Sequence, residues 1–193
     1  RQTKASTSPN KYVLYGGAVC GGKTVWLCME AIKQCLLFPG NRVYMFREQL
    51  QSFKETTLVT LEKMLPEEII EQWNKSDSWC RLKNGSIILW RGFAENRKEL
   101  KEKKGSMECG SFFIDEAYEV GRDDFLFLQS RLRWVLPNGT RPVYKGCLAS
   151  NPANCWLRHD FIEPATRKPN YEFIQALPTD NPDLPDGYIE GLR

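Results

Sequence analysis

What the sequence lacks already excludes several classes of protein. No stretch approaches the run of about 18 apolar residues that a transmembrane helix needs, and no secretory signal pattern opens the chain. The seven cysteines are odd in number, and no two of them have the CxxC spacing of a zinc site. We therefore interpret them as reduced, mostly buried thiols, and we expect a cytosolic protein with no membrane partner.

Neither sign of charge is in large excess. The chain has 27 Lys and Arg residues against 24 Asp and Glu residues, and its net charge of +3 is too small to indicate a nucleic-acid partner by itself. Its 193 residues are 41% hydrophobic and 26% charged, as in a globular protein with one sizeable core.

Predicted strands alternate with predicted helices along the chain. Short apolar and β-branched runs predict strands at 12–15, 42–46, 111–114 and 143–149, and a hairpin over 81–90 around Asn84-Gly85. Apolar residues at helical spacing predict helices at 24–37, 48–65 and 123–136. This alternation is typical of an α/β fold with a mostly parallel central β-sheet flanked by helices.

The two ends of the chain have a different composition. Residues 1–11 are polar and predict a loose lead-in, whereas prolines at 164, 169, 178, 182 and 185 break any long element near the C-terminus. We therefore expect a folded core over residues 1–163 and an irregular, proline-rich tail over residues 164–193.

A glycine-rich segment carries the strongest chemical signal. The stretch from Gly17 to Thr24 reads GAVCGGKT and fits the pattern G-x-x-x-x-G-K-[ST] between a predicted strand and a predicted helix. Glycines let backbone N–H groups turn inward around phosphate oxygens, and the following helix presents its positive end to them. The pattern alone is short enough to occur by chance in a glycine-rich turn. In this setting we predict that the nucleotide-binding residues are Gly17, Ala18, Val19, Cys20, Gly21, Gly22, Lys23 and Thr24, with Lys23 on the β- and γ-phosphates and Thr24 on Mg²⁺.

Two polar pairs follow predicted strands further along the chain. Asp115 and Glu116 end the apolar run FFIDE, where Asp115 can hold Mg²⁺ and Glu116 can act as the general base for an attacking water. Ser150 and Asn151 follow the strand 143–149 and can contact the γ-phosphate. Each pair also has an ordinary interpretation, as the end of a strand and as an Asn-Pro turn.

Taken in order, these motifs resemble a known family, the ATPase domain of phage large terminases. The resemblance covers residues 12 to 190, and its specificity comes from the order of several segments rather than from one of them. The segments are VLYGGAVCGGKT, RVYMFREQLQSFKETTLVTLEKMLP, LKNGSIILWRGF, FFIDEAYEV, LQSRLRW, LASNPAN and LPTDNPDLPDGY.

The resemblance implies a P-loop NTPase fold of the ASCE (RecA-like) type and a function for each motif. Residues 17–24 match the Walker A loop, Asp115 matches the Walker B aspartate that binds Mg²⁺, and Glu116 matches the catalytic carboxylate. Ser150 and Asn151 fall on the motif that couples hydrolysis to movement. Gln2 stands where such proteins often have a glutamine that recognises adenine.

The resemblance also implies the biological setting. It suggests an ATP-hydrolysing motor that uses ATP and Mg²⁺ to translocate double-stranded DNA into a procapsid. Its partners would be a homo-oligomeric ring on the portal and a small terminase subunit, in the host cytoplasm. Segment 97–104 and the RLRW sequence are basic enough to touch the DNA backbone. We expect the C-terminal nuclease domain of the family to be absent from this chain and predict no nuclease activity, since Asp180, Asp183 and Asp186 lie in the proline-broken tail.

One departure from the family pattern raises a mechanistic question. Many members have an arginine inside the phosphate loop, whereas this chain has Ala18-Val19-Cys20. An arginine that neutralises the transferred phosphate is worth roughly 10³–10⁵ in rate. Our preferred candidate is Arg131, donated by a neighbouring subunit. The other candidates are Arg133, Arg47, Arg97, Lys101, Lys103 and Lys104.

Two other functions stay open at this point. A P-loop kinase would bind an acceptor where the water stands, and a non-catalytic module would use the nucleotide only to switch DNA binding. Glu116 favours hydrolysis over both. Release of inorganic phosphate without an acceptor distinguishes the ATPase from these alternatives.

Overall fold

A computed structural model describes residues 1–17, 21–95 and 107–180. The helices are α1 (Gln2–Ser6), α2 (Lys23–Leu37), α3 (Leu50–Glu55), α4 (Thr57–Met64) and α5 (Arg122–Gln129), with a π-helix at Arg158–Ile162. The strands are β1 (Tyr12–Gly17), β2 (Arg42–Arg47), β3 (Ile70–Asn74), β4 (Trp79–Leu82), β5 (Ile87–Gly92), β6 (Ser111–Ile114), β7 (Lys145–Ser150) and β8 (Tyr171–Ala176). None of the helices within these ranges is long and apolar enough to cross a membrane.

The strands form one eight-stranded sheet in the order β3-β4-β5-β2-β6-β7-β1-β8. Pairing is parallel from β5 through to β8, and β3 and β4 extend the sheet by antiparallel pairing. The predicted α/β fold with a mostly parallel sheet is therefore confirmed. Because parallel strands end at the same edge, the sheet brings the residues that follow β1, β2, β6 and β7 together there.

Both faces of the sheet are buried, and successive side chains of each strand point to opposite faces. In β1, Val13 and Tyr15 pack into the core formed with α2 and α4, whereas Tyr12 and Leu14 pack into the core on the α5 side. The ring of Phe125 on α5 lies within about 6 Å of five other aromatic rings in that second core, and the packing fixes α5 against the sheet.

The helix predicted over 48–65 is wrong as a single element. The chain breaks between α3 and α4 at Thr56, whose backbone angles are φ −126° and ψ −68°. Apolar spacing continues across the break, so periodicity does not reveal it. The break lies next to the end of β6, because Thr57, directly after it, contacts Asp115.

The helix predicted over 123–136 ends early, at Gln129. The segment that follows pairs instead with the chain before β6. The N–H of Cys109 donates to the carbonyl of Arg131 at 3.0 Å, and the N–H of Trp134 donates to the carbonyl of Cys109 at 3.2 Å. Arg131 and Arg133 therefore lie beyond the helix, in the turn and the irregular segment that follow it.

The predictions for the two ends were also wrong in part. Residues 2–6 form α1 rather than a loose lead-in, and residues 171–176 form β8, which pairs in parallel with β1 along its whole length. The folded core thus extends past residue 163. Asp183 and Asp186 lie outside the described residues, within which no cluster of three or more His, Cys, Asp or Glu side chains could hold a metal ion.

Candidate active site

The glycine-rich loop joins β1 to α2, as the motif requires. Gly17 has a φ of +142°, and a Cβ there would stand 2.4 Å from the carbonyl oxygen of Ala176. Gly22, directly before α2, is left-handed with a φ of +67°. Both positions therefore favour glycine for reasons of backbone conformation and space. Ala18, Val19 and Cys20 lie outside the described residues.

The first turn of α2 faces the centre of the site. Lys23 is buried, with 8% of its surface exposed. The Thr24 hydroxyl donates to Asp115, at 3.2 Å from Oδ2 and 3.4 Å from Oδ1. A hydroxyl and a carboxylate this close are the hard oxygen donors that Mg²⁺ prefers beside phosphates. The predicted metal ligands Thr24 and Asp115 are thus brought together, and their chemistry fits the ion.

Asp115 is almost fully buried at the end of β6. Burial raises the pKa of its carboxyl, against hydrogen bonds from Thr57, Glu116 and Thr24 and the nearby charge of Arg47. The shortest of those hydrogen bonds comes from the hydroxyl of Thr57, at 2.6 Å from Oδ2.

Thr57 is a site residue that the sequence did not reveal. It is fully buried on the first turn of α4 and holds the Asp115 carboxylate from the side of the α3–α4 break. In the sequence it stands at one of the apolar positions of the helical pattern. The only hint is the pair Thr56-Thr57, because two adjacent β-branched residues interrupt a run of good helix formers.

Glu116 adopts an uncommon backbone conformation. Its φ of 47° and ψ of 50° place a non-glycine residue in the left-handed region, which is sparsely populated and often found at active sites. Burial and then the adjacent Asp115 charge raise the pKa of Glu116, while Arg47 and Lys23 oppose the rise. A raised pKa suits a carboxylate that must accept a proton near neutral pH.

Asn151 contacts the carboxylate of Glu116. Its Nδ2 donates to Oε2 of Glu116 at 3.1 Å, which connects the end of β7 to the end of β6. Its Oδ1 is buried and has no hydrogen-bond partner among the described residues. Ser150 is buried beside it and donates to the Asn151 carbonyl at 2.8 Å. Ser150 therefore supports the backbone that positions Asn151.

Gln2 lies against the end of the phosphate loop. Its Nε2 donates to the carbonyl of Gly22 at 3.2 Å, so α1 packs directly behind the loop. A cavity of about 240 Å³ is lined by Gly17, Asn151 and the apolar side chains of Leu157 and Phe173.

The candidate arginines occupy two different edges of the sheet. Arg131 lies beside Cys109, before β6 begins. Because the chain from Cys109 to Asp115 is extended, about 20 Å separate Arg131 from Asp115 along the strand. Its guanidinium lies 4.9 Å from the ring centre of Phe127, and Arg133 forms an ion pair with Glu108 at 2.9 Å. Neither reaches the site of its own chain. Arg97, Lys101, Lys103 and Lys104 lie outside the described residues.

Of the candidate arginines within the described residues, Arg47 is the one that the fold places at the site. It is the last residue of β2, beside β6, and its Nε lies 3.6 Å from Oε2 of Glu119.

Solved structures share this fold. A large terminase from a thermophilic bacteriophage matches with a TM-score of 0.80 at 16% identity, over 99% of this chain and 48% of that one. The same protein with ADP gives a TM-score of 0.79 at 15% identity, over 99% and 48%. The ATPase domain of the Thermus phage P74-26 large terminase gives 0.64 at 13% identity, over 90% and 78%.

These identities are too low to show more than the fold. The chain spans about half the length of the first two of these terminase chains. Among curated proteins, no sequence matches it significantly. A family model described as phage terminase large subunit, however, matches residues 9–193. Since that match covers nearly the whole sequence, the chain belongs to the phage terminase large subunit family.

Proposed function

We propose that this chain is the ATPase motor of a large terminase, which hydrolyses ATP to ADP and phosphate and uses the reaction to move double-stranded DNA into a procapsid. One observation carries the proposal. Asp115 contacts the Thr24 hydroxyl of the phosphate loop, and the next residue, Glu116, is held by Asn151 at the same edge of the sheet. The large terminase of the thermophilic bacteriophage, which shares the fold, has been solved with ADP and with ATP-gamma-S.

Different residues would bind the phosphates, the adenine and the metal ion. Lys23 and the backbone N–H groups of the loop would bind the β- and γ-phosphates, and Gln2 would recognise adenine from behind the loop. Thr24 and Asp115 would hold Mg²⁺, which would neutralise negative charge on the phosphates. Hydrolysis is therefore proposed to require Mg²⁺.

Glu116 is placed to act as the base. A water would attack the γ-phosphorus as the bond to the bridging oxygen of ADP breaks, and Glu116 would accept the proton that the water loses. The amide of Asn151 fixes Oε2 of Glu116, which leaves Oε1 to face the water. Because Asn151 directly follows β7 and Glu116 lies just after β6, loss of the γ-phosphate would change a contact between the ends of two strands. Ser150 and Asn151 would couple hydrolysis to movement in this way.

The assembly belongs to the same proposal. We propose a homo-oligomeric ring on the portal, a small terminase subunit as partner, assembly-stimulated hydrolysis and action in the host cytoplasm, without membrane attachment or nuclease activity. The solved motor assembly of bacteriophage phi29, a viral genome packaging motor, contains a chain that matches this one with a TM-score of 0.53 at 14% identity, over 81% of this chain and 49% of that one. Within such a ring, Arg131 would act on the neighbouring site.

A single-turnover assay tests the reaction itself. With γ-labelled ATP, Mg²⁺ and double-stranded DNA, we expect inorganic phosphate to appear without any added acceptor. Glu116→Gln should retain ATP binding and lose about 10²–10⁴ in rate, since it removes the base and keeps the shape. Transfer of the label to another molecule would support a kinase, and binding without any phosphate release would support a non-catalytic switch. Either result contradicts the proposal.

A further inference from the structure

We propose that Arg47 supplies, from within the same chain, the positive charge on the γ-phosphate that the loop Ala18-Val19-Cys20 does not provide, and that Glu119 holds its guanidinium ready. The inference rests on the proposed ATPase function and adds a catalytic residue to it.

The first support is the register of the sheet. Phe46 of β2 pairs with Ile114 of β6, and the N–H of Asp115 donates to the carbonyl of Phe46 at 2.8 Å. Arg47 therefore leaves the sheet at the same level as Asp115 and on the neighbouring strand. This edge is where the nucleotide and the water must meet.

The second support is the way in which the side chain is held. Its Nη1 donates to the Thr56 hydroxyl at 2.8 Å and to the carbonyl of Ser52 at 3.4 Å, both at the α3–α4 break. The side chain is only 16% exposed, and Glu119 approaches Nε to 3.6 Å, beyond hydrogen-bonding distance. Two contacts from α3–α4 and one charge from the chain after β6 thus define its position.

The third support is an unpaired donor. The Nε of Arg47 is buried and has no hydrogen-bond partner among the described residues. A buried donor at a charged group that lacks an acceptor is unfavourable, so such groups in native proteins commonly meet water, an ion or a ligand. An anion with several oxygens, such as the terminal phosphate of ATP, matches a guanidinium donor in both charge and geometry.

The electrostatics of the site agree with this position. The charge of Arg47 lies close enough to act on the carboxyl groups of both Asp115 and Glu116. Arg47 is thus within electrostatic reach of the two carboxylates between which the reacting phosphate would lie. During hydrolysis the γ-phosphate oxygens carry spread negative charge, and the fixed guanidinium would stabilise it.

Paired binding and kinetic measurements test the role of Arg47. For Arg47→Ala we expect ADP affinity within about twofold of the wild type, a fall of about tenfold in ATP-gamma-S affinity, and a fall of about 10³-fold or more in hydrolysis. Glu119→Gln should reduce hydrolysis severalfold with ADP affinity unchanged. Arg81→Ala, at a strand arginine in the hairpin far from the site, is the matched control and should change none of these values.

Subunit mixing then distinguishes a contribution within the chain from one between chains. If Arg47 acts on its own site, mixing Lys23→Ala and Arg47→Ala chains restores no hydrolysis, because each chain has a defect in its own site. Restored activity would overturn the proposal, as would an Arg47→Ala chain that keeps the wild-type ratio of ATP-gamma-S to ADP affinity. Should Arg47→Ala fail to fold, Arg47→Gln replaces it, since it removes the charge and retains an amide donor.

The controls separate this inference from the function on which it rests. If the wild-type chain neither binds ATP-gamma-S nor releases phosphate, the ATPase proposal fails. If the wild type does both and the Arg47 variants do the same, only the role of Arg47 is wrong.

Discussion

At the scale of single residues, the site is built from side chains that hold one another before any ligand binds. Asp115 receives hydrogen bonds from Thr24 and Thr57, and Asn151 holds Glu116. The left-handed backbone of Glu116 is part of the same arrangement, because its N–H turns back to Asp115 Oδ1 at 3.1 Å. Fixing these carboxylates in advance would reduce the reorganisation that the proposed reaction requires.

Thr57 makes the clearest test of this preorganisation. Thr57→Val keeps the volume and removes the 2.6 Å hydrogen bond to the buried Asp115, so we expect the free energy of unfolding to fall by about 1–3 kcal/mol. Urea unfolding measures the change. Thr60→Val is the matched control on the same helix, where the hydroxyl bonds only to the carbonyl of Thr56, and it should stay within about 0.5 kcal/mol. Equal effects of the two substitutions would show that the Thr57–Asp115 contact does not stabilise the fold.

The sequence predicted the residues of the site better than their supports. The motif residues Lys23, Thr24 and Asp115 lie together because the spacing between strand, loop and helix is local and strongly constrained. The contacts of Thr57 and Arg47 depend on the α3–α4 break and on the pairing of β2 with β6, both of which are tertiary features. The hydrophobic periodicity of the sequence predicts neither the break nor the strand pairing.

At the scale of elements, the same distinction holds. The strands β1, β2 and β6 and the helix α2 were predicted because apolar runs and helical spacing are long there. The strand β8 was missed because its six residues include Glu172 and Gln175 and lie between prolines, so only its pairing with β1 explains it. The segment after Gln129 retains helical spacing, but its backbone hydrogen bonds are made with Cys109 instead.

The π-helix after β7 is connected to α5 by one buried carboxylate. Asp160 is fully buried and pairs with Arg122 of α5 at 2.9 Å, with His159 at 2.9 Å and with Lys168 at 3.6 Å. Burial acts to raise the pKa of Asp160, but the hydrogen bonds from His159 and Arg122 and the charge of Lys168 outweigh it and lower the pKa below its usual 3.8. The cluster therefore joins the chain that follows Asn151 to the chain that follows Glu116.

The lowered pKa fixes the sign of a pH dependence. A carboxyl that loses its proton more readily when folded contributes stability above its unfolded pKa, and the contribution disappears as the pH falls through the folded value. We expect Asp160→Asn to destabilise the protein above about pH 5, by about 1–3 kcal/mol because the hydrogen bonds to a buried carboxylate are lost, and by less below about pH 4. Thermal or urea unfolding across this range measures the difference. A difference that is constant with pH, or one that grows as the pH falls, would contradict the assignment.

At the scale of the whole molecule, the two arginines suggest a division between one chain and its neighbours. Arg47 lies at the site of its own chain, whereas Arg131 lies at the opposite edge of the sheet, so that in the proposed ring it would act on another subunit's site. The two roles are compatible, since the first would sustain slow hydrolysis in each chain and the second would accelerate it on assembly.

The concentration dependence of specific ATPase activity tests this division. We expect slow hydrolysis at low protein concentration and a rise as chains associate, because association brings Arg131 to the neighbouring site. Arg131→Ala should abolish the rise, whereas Arg47→Ala should lower the activity by a similar factor at every concentration. Mixing Arg131→Ala with Lys23→Ala should restore hydrolysis, because the Lys23→Ala chain donates an intact Arg131 to a neighbour with an intact phosphate loop.

Two results together would contradict a role for Arg131: a wild-type specific activity that does not change with protein concentration, and no restored hydrolysis on mixing. They would leave Arg47 as the source of the positive charge.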